Sequence, residues 1–312
     1  MIVDFINMPL FSVIIPIYNT AVYLDDCLQS VVCQLPEQEV EIICINDGST
    51  DDSVAVLQPY LARYPNIRLI NQPNAGLSAA RNAGLQHANG DFVLFLDSDD
   101  MLLPNALTIL QQTIRLHPSV DIVAFGSILW YDTENKKTPN AAFNHTEAIM
   151  YRSGMDYLSY FVNTRGWGPS AACFYAYRRT LITQNKLLFP VGMLHEDELF
   201  VPQTLSLAGE MHTIAESIYL YRIRKSSIVH TETEKHSRDK LSIAHQLECF
   251  FQEHNNMNTA TRRIVYSLLL NAMLGLKRLH IRLPLAEWRH VFQLADSSKT
   301  RLKLIKKIIC TI

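Results

Sequence analysis

Five short apolar runs, separated by helical stretches of ten or more residues, dominate the first 125 positions. They are Phe11-Ser-Val-Ile-Ile-Pro-Ile17, Val40-Glu-Ile-Ile-Cys-Ile45, Ile67-Arg-Leu-Ile70, Phe92-Val-Leu-Phe-Leu96 and Val120-Asp-Ile-Val-Ala-Phe125. Between them the spacing predicts helices from Asn19 to about Cys33, Asp51 to Arg63, Ala75 to His87 and Pro104 to Leu116. Strands this apolar belong in a sheet covered on both faces, and helical crossovers make such a sheet mainly parallel. Right-handed crossovers then place helices on both faces, in a Rossmann-like α/β layer. With 48% hydrophobic and 19% charged residues the chain can fill a large core, which excludes a disordered chain.

Residues 128–150 are polar and read as a loop insertion around Lys136-Lys137-Thr138-Pro139-Asn140. Further strands are expected at Phe174–Arg178 and Met211–Tyr221, with a helix near Glu196–Ala208. Beyond Thr231 only helices are expected, at 235–254, 258–279, 284–295 and 298–310. The expected organisation is a catalytic α/β domain over 1–230 and an all-helical C-terminal extension over 231–312.

Charge is asymmetric between the two halves of the chain. Residues 1–156 carry 7 Lys/Arg against 18 Asp/Glu, and residues 157–312 carry 21 against 12. The last segment sets Leu302, Ile305, Ile309 and Ile312 on one helical stripe, with Lys299, Arg301, Lys303, Lys306 and Lys307 around it. Such a helix fits an anionic leaflet, a bundle neighbour or a second copy of the chain in a homodimer. No Lys or Arg precedes Arg63, so no secretory signal peptide is expected. The longest strongly apolar uncharged stretch, Ile264–Leu276, is too short to span a bilayer. The expected location is the cytoplasm, or the cytoplasmic face of the inner membrane. Six cysteines without a CxxC pair are expected to be reduced and buried. The basic residues show no nucleic-acid module.

In an open parallel sheet, ligands bind beyond the carboxyl ends of the strands. Four polar clusters follow the first four runs: Pro16-Ile-Tyr18-Asn19, Asn46-Asp47-Gly48-Ser49-Thr50-Asp51-Asp52, Asn71 to Asn82, and Asp97-Ser98-Asp99-Asp100. None is a dinucleotide GxGxxG or a phosphate loop. The fourth packs three carboxylates into four residues. A hard divalent cation would relieve their repulsion, and Mg²⁺ or Mn²⁺ prefers such oxygens. Capping of the next helix accounts for one of them only.

Phe11-Ser-Val-Ile-Ile-Pro-Ile-Tyr-Asn19, Asn46-Asp-Gly-Ser-Thr-Asp-Asp-Ser53, Asn74-Ala-Gly-Leu-Ser-Ala-Ala-Arg-Asn82 and Gly90-Asp-Phe-Val-Leu-Phe-Leu-Asp-Ser-Asp-Asp100 resemble, in order and spacing, the inverting GT-A glycosyltransferases of family 2. The resemblance covers about residues 10–225. It implies a GT-A fold and a UDP-sugar donor held with Mn²⁺ or Mg²⁺. Asp97-Ser98-Asp99 matches the DxD motif, with Asp99 the direct metal ligand and Asp97 a ligand or ribose contact. Asp47 matches the carboxylate that accepts from the uracil N3–H. Pro16, Tyr18 and Asn19 are expected to line the base and ribose pocket. Gly48, Asn74, Ser78 and Arg81 complete the donor site, with Arg81 near the diphosphate.

His195-Glu196-Asp197-Glu198 resembles the family's Glu-Asp motif, which implies that Asp197 is the catalytic base and Glu196 an acceptor contact. A first-turn acidic run favoured by the helix dipole is the alternative. It is not a zinc HExxH, since residue 199 is leucine. Trp167 could stack on a sugar or sit in the core. Arg224 or Lys225 could cover the diphosphate, and His230 could ligate metal or be structural. The expected partners are a nucleotide sugar and a saccharide acceptor, lipid-linked and used in capsule, O-antigen or exopolysaccharide synthesis. An inactive GT-A-fold binding protein is the alternative, and its marker would be loss of the DxD motif or of the base. A nucleotidyltransferase would need a glycine and a cation after the first strand, where Pro16-Ile-Tyr-Asn-Thr20 has neither.

Overall fold

The computed structural model describes residues 8–32, 34–224, 233–281 and 283–295. The chain forms two compact units. The first takes residues 1–152, 172–192 and 208–227, and the second takes 153–171, 193–207 and 228–312.

The first unit is built on one sheet. Strands β1 (Phe11–Ile17), β2 (Val40–Asp47), β3 (Ile67–Gln72) and β4 (Phe92–Phe95) alternate with helices α1 (Ala21–Val32), α2 (Ser53–Arg63) and α3 (Leu77–His87). The four strands are parallel and lie in the order β3-β2-β1-β4, as the alternation demands. Every residue of β1, β2 and β4 is buried. A short β5 (Met101–Leu102) and α4 (Ala106–Leu116) lead into β6 (Ile122–Tyr131).

β1 carries a proline in its interior, where a missing N–H normally breaks a ladder. The Ile14 carbonyl accepts from Leu96 N–H, and alternation turns Pro16 to that same side. The β1–β4 pairing ends at Ile14 and Phe95, so Pro16 lies past the last rung and costs no bond. Beyond that point the two strands are no longer laddered together, and the polar loops converge there.

Residues 128–150 are not a loop insertion. β6 continues to Tyr131 and turns back through Asn135 (φ 47°) into β7 (Lys136–Pro139), and β8 (Ile149–Tyr151) follows. This edge is half exposed, so its pattern lacks the apolar run that marks an interior strand. Lys136 and Lys137 lie 6.0 and 5.3 Å from the ring centres of Tyr131 and Trp130.

β9 (Tyr175–Arg178) enters antiparallel between β4 and β6, which makes the second half of the sheet mixed. β10 (Met211–Ile223) runs parallel to β6 and pairs antiparallel with β5 and β8. Strand direction follows from where connecting helices place the chain, and no residue pattern encodes it.

The second unit is helical. α5 (Gly154–Arg165) and α7 (Asp197–Leu207) belong to it; α6 (Arg179–Gln184) belongs to the first unit. α8 (Glu234–Glu253) and α9 (Thr259–Arg278) form a helical hairpin, and α10 (Leu285–Leu294) packs on α9. These last three match the helices expected at 235–254, 258–279 and 284–295. Asn258 caps α9 by accepting from Ala260 and Thr261 N–H. The helix expected at 298–310 lies outside the described residues. No helix among the described residues is long and apolar enough to cross a membrane. Cys27, Cys44 and Cys173 are buried thiols as expected, but Cys249 is exposed, because α8 turns that position away from its buried stripe.

Candidate active site

The loops after β1, β2, β3 and β4 are hydrogen-bonded into one rim. Asn19, in the left-handed region (φ 52°), accepts from Thr50 N–H at 2.8 Å and donates its own N–H to Ser49 Oγ at 3.2 Å. Asp51 accepts from Ala21 N–H and from Ser53, and these bonds hold its carboxyl below the usual range against the opposing effect of burial. Thr20 donates from its hydroxyl to Ser98 at 2.9 Å, tying the first loop to the carboxylate run. Tyr18 and Asn19 are exposed at this rim, while Pro16 is buried beneath it.

Asp47 is only 2% exposed. Its Oδ1 accepts from Gln72 Nε2 at 2.7 Å and Ala75 N–H at 2.9 Å, and its Oδ2 accepts from Gly76 N–H at 2.8 Å. The carboxylate therefore holds the loop that opens α3, and Oδ2 keeps room for one more donor. Gly48 has φ +72°, and a Cβ there would sit 2.8 Å from Asn74 N, so this turn admits only glycine without a shift. Asn74 is exposed and Ser78 is buried, at either end of the α3 entrance.

The three carboxylates after β4 have three different environments. Asp97 Oδ1 accepts from Arg81 at 2.9 Å. Arg81 is 2% exposed and lies over the rings of Phe189 and Phe95, at 5.2 and 6.0 Å. Asp99 Oδ2 pairs with Arg224. Burial, and then the charge of Asp97, push the Asp99 carboxyl up, and Arg224 and Arg222 pull it back. Asp100 is buried and turned away: Tyr219 Oη donates to it at 2.8 Å and Arg222 N–H at 2.7 Å. Burial, then Asp99 and Asp97, raise its carboxyl well above the usual range.

Mutual repulsion among these three residues therefore does not by itself require a metal. Two arginines and a tyrosine already compensate it, all from distant segments that local sequence cannot pair. What the arrangement leaves over is more informative. Oδ2 of Asp97 accepts from no protein donor among the described residues, and the Asp99 carboxyl adds its own backbone N–H to the Arg224 pair. Carboxylate oxygens of this kind at the end of a strand suit a divalent cation that keeps positions for substrate phosphates.

Arg222 is the residue that sequence reasoning missed. Its side chain is 4% exposed and bridges Asp26 at 2.7 Å, Asp132 at 3.4 Å and the Asp99 carbonyl at 2.9 Å. It also lies 4.3 Å from the ring centre of Trp130. Only the pairing of β10 with β5 and β6 brings these groups together. Lys225 and His230 lie outside the described residues.

A second cluster belongs to the helical unit. Asp197 begins α7 and is half-buried, as is Glu196 before it. Glu198 pairs with Lys240 of α8 at 3.4 Å, and burial raises its carboxyl despite that cation. His195, at φ 63°, is pushed down to about 4 by burial and then by Lys240 and His236. Neither Glu198 nor Lys240 carried a role in the sequence reading, because the pairing joins two helices about forty residues apart. Trp167 is half-buried, edge-on to Phe161 with ring centres 5.1 Å apart.

A family model described as glycosyl transferase family 2 matches residues 12–182, more than half of the chain. The chain belongs to glycosyl transferase family 2. Among curated relatives of this glycosyltransferase, the uncharacterized glycosyltransferase YibD of Escherichia coli is 30% identical over 260 residues, covering 82% of this chain and 73% of the relative. The poly(ribitol-phosphate) beta-glucosyltransferase of Bacillus spizizenii is 28% identical over 219 residues, covering 69% of this chain but 32% of that longer relative. The crystal structure of S. aureus TarS 1–349 in complex with UDP-GlcNAc aligns with a TM-score of 0.66, at 21% identity over 95% of this chain and 81% of that one. That likeness shows the GT-A fold expected from the motifs.

Proposed function

We propose that this glycosyltransferase moves one sugar from a UDP-sugar, with Mn²⁺ or Mg²⁺ and with inversion, to a saccharide acceptor of a cell-surface polymer. The observation that carries the donor half is the Asp97-Ser98-Asp99 run at the carboxyl end of β4, where Asp97 Oδ2 accepts from no protein donor among the described residues. These residues would hold the cation, which when bound offsets charge on the departing diphosphate. Tyr18 and Asn19 supply an exposed rim for the base and ribose, and Oδ2 of Asp47 has one acceptor site left for the uracil N3–H. The TarS complex with UDP-GlcNAc supports a uridine nucleotide on this fold.

Asp197 is assigned as the base. The acceptor oxygen forms its bond to the anomeric carbon as the bond from that carbon to the diphosphate oxygen breaks, with the electron pair leaving on UDP. The acceptor proton passes to the Asp197 carboxylate. Glu196 is assigned to acceptor hydroxyls. The named substrate of the Bacillus spizizenii relative, a polyol phosphate polymer, supports a surface-polymer acceptor. The basic balance of residues 157–312 supports an acceptor on an anionic carrier at a membrane face.

The test is donor binding and hydrolysis against a panel of UDP-sugars, with Mn²⁺ and then with EDTA. Metal-dependent binding of one donor is expected to vanish in Asp99→Ala and to persist in Asp197→Asn, which loses turnover instead. Absence of metal-dependent binding to every UDP-sugar would overturn the donor assignment. Full turnover in Asp197→Asn would overturn the base.

A further inference from the structure

The helical unit carries a cluster of nitrogen and oxygen ligands remote in chemistry from any sugar-binding role. His245 and Glu248 lie three residues apart on α8, and Glu287 and His290 lie three apart on α10. Residues at this spacing share one face of a helix. Facing each other, they form crossed pairs: His290 Nε2 to Glu248 Oε2 at 2.8 Å, and His245 Nε2 to Glu287 Oε2 at 3.3 Å. The two imidazoles stack with centres 5.6 Å apart. His245, Glu248 and His290 can each bring one ligand atom within 4.8 Å of the others.

We propose that His245, Glu248 and His290 bind a transition-metal ion of the Zn²⁺ class that cross-links α10 to α8. Two imidazoles and one carboxylate are a borderline-soft donor set, which favours Zn²⁺ over the Mg²⁺ or Mn²⁺ suited to Asp97 and Asp99. Tetrahedral bonds of about 2.0–2.1 Å need ligand atoms about 3.4 Å apart, so side-chain rotation closes the set around the ion. Glu287 Oε2 is buried, makes no hydrogen bond and lies 3.3 Å from His245 Nε2, so with Nδ1 on the metal it serves as the carboxylate that orients the His245 ring. A cavity of about 180 Å³, lined by Glu248 and His290 together with Gln252, Met257 and Arg262, adjoins two of the three ligands and leaves space for a water.

The fold shows why such a staple is useful. α10 has ten residues and buries only Val291, while Leu285 on it is 65% exposed. So little apolar burial holds a short helix weakly, and a metal bond between helices makes up the deficit.

The test uses the full chain, stripped with a chelator and titrated with Zn²⁺ by calorimetry, and with Co²⁺ by visible absorption. One equivalent of Zn²⁺ is expected to bind, raise the melting temperature and give the intense bands of tetrahedral Co²⁺. His290→Ala should weaken binding by at least about tenfold and lose the stabilisation. Glu248→Gln, which keeps the packing, should weaken it as well, and Asp99→Ala should leave it unchanged. Zn²⁺ binding that survives both His290→Ala and Glu248→Gln, or that is lost in Asp99→Ala, would overturn the proposal. So would a chain that binds no Zn²⁺, with the four side chains then serving as two ion pairs. None of these outcomes depends on transferase activity.

Discussion

Replacing Asp100 by alanine should destabilise the fold without removing a metal ligand, and this separates it from Asp99 one position earlier. Asp100 accepts from the Tyr219 hydroxyl, in a residue with no exposed surface, and from Arg222 N–H. Each buried donor left without an acceptor costs about 1–3 kcal/mol. Part of this is recovered, because burial and two neighbouring carboxylates already raise the Asp100 pKa and make its charge unfavourable. The net loss should be about 2–3 kcal/mol, or about 4–12 °C in melting temperature for a unit of this size. Asp100→Asn should lose less than about 1 kcal/mol: its carbonyl can serve Arg222 N–H, and its amide can donate to the Tyr219 oxygen. Asp99→Asn should unfold close to wild type and lose metal-dependent donor binding. The assay is urea and thermal unfolding of each variant, with donor binding measured separately. An Asp100→Ala protein that unfolds at the wild-type midpoint yet no longer binds donor would refute the reasoning and make Asp100 the ligand.

Gly48→Ala should cost about 1–3 kcal/mol, since φ +72° is strained for alanine and the Cβ meets Asn74 N at 2.8 Å; denaturant unfolding and donor affinity should both fall. Arg81→Met should cost about 2–3 kcal/mol, less than a fully buried pair because Asp97 is 26% exposed; a double mutant with Asp97→Asn should recover part of the loss, and no recovery would show that the pair is not coupled. His195 is held at about 4, below its unfolded value near 6.5. Between those values the unfolded chain binds a proton that the folded chain refuses, so stability rises with pH across that window and is complete above it. The full effect is at most about 3 kcal/mol, less what solvent screening removes from a ring that is 27% exposed, and is lost as pH falls from 6.5 towards 4. Urea midpoints at both ends of the window, in wild type and in His195→Asn, test it: the variant should show the smaller change.

The first four strands, their helices and the three C-terminal helices were legible in the sequence for a common reason. Each is specified by apolar residues repeating at the period of its own backbone, and burial of that face needs no knowledge of distant segments. The polar loops at the strand ends were legible too, because a parallel sheet gathers its carboxyl ends whatever follows. The half-exposed β7–β8 edge was not, since neither of its faces is apolar throughout. The direction of β9 was hidden as well, because strand polarity depends on the path of the connecting chain.

Within the site, residue types alone named Asp97, Asp99 and Asp100 as one acidic run. They could not show that Arg81, Arg224 and the Tyr219–Arg222 pair each claim one member. That partition comes from packing, because β10 reaches the end of β4 from more than a hundred residues away. The His245–Glu248–His290 cluster is of the same kind: two ordinary i, i+3 pairs acquire a common point only when α8 and α10 face each other. Local periodicity determined the elements and where ligands gather, since both follow from backbone geometry and apolar burial. The ionisation and free valences of the acidic groups were decided by tertiary structure, since Coulomb and desolvation energies depend on distances through space.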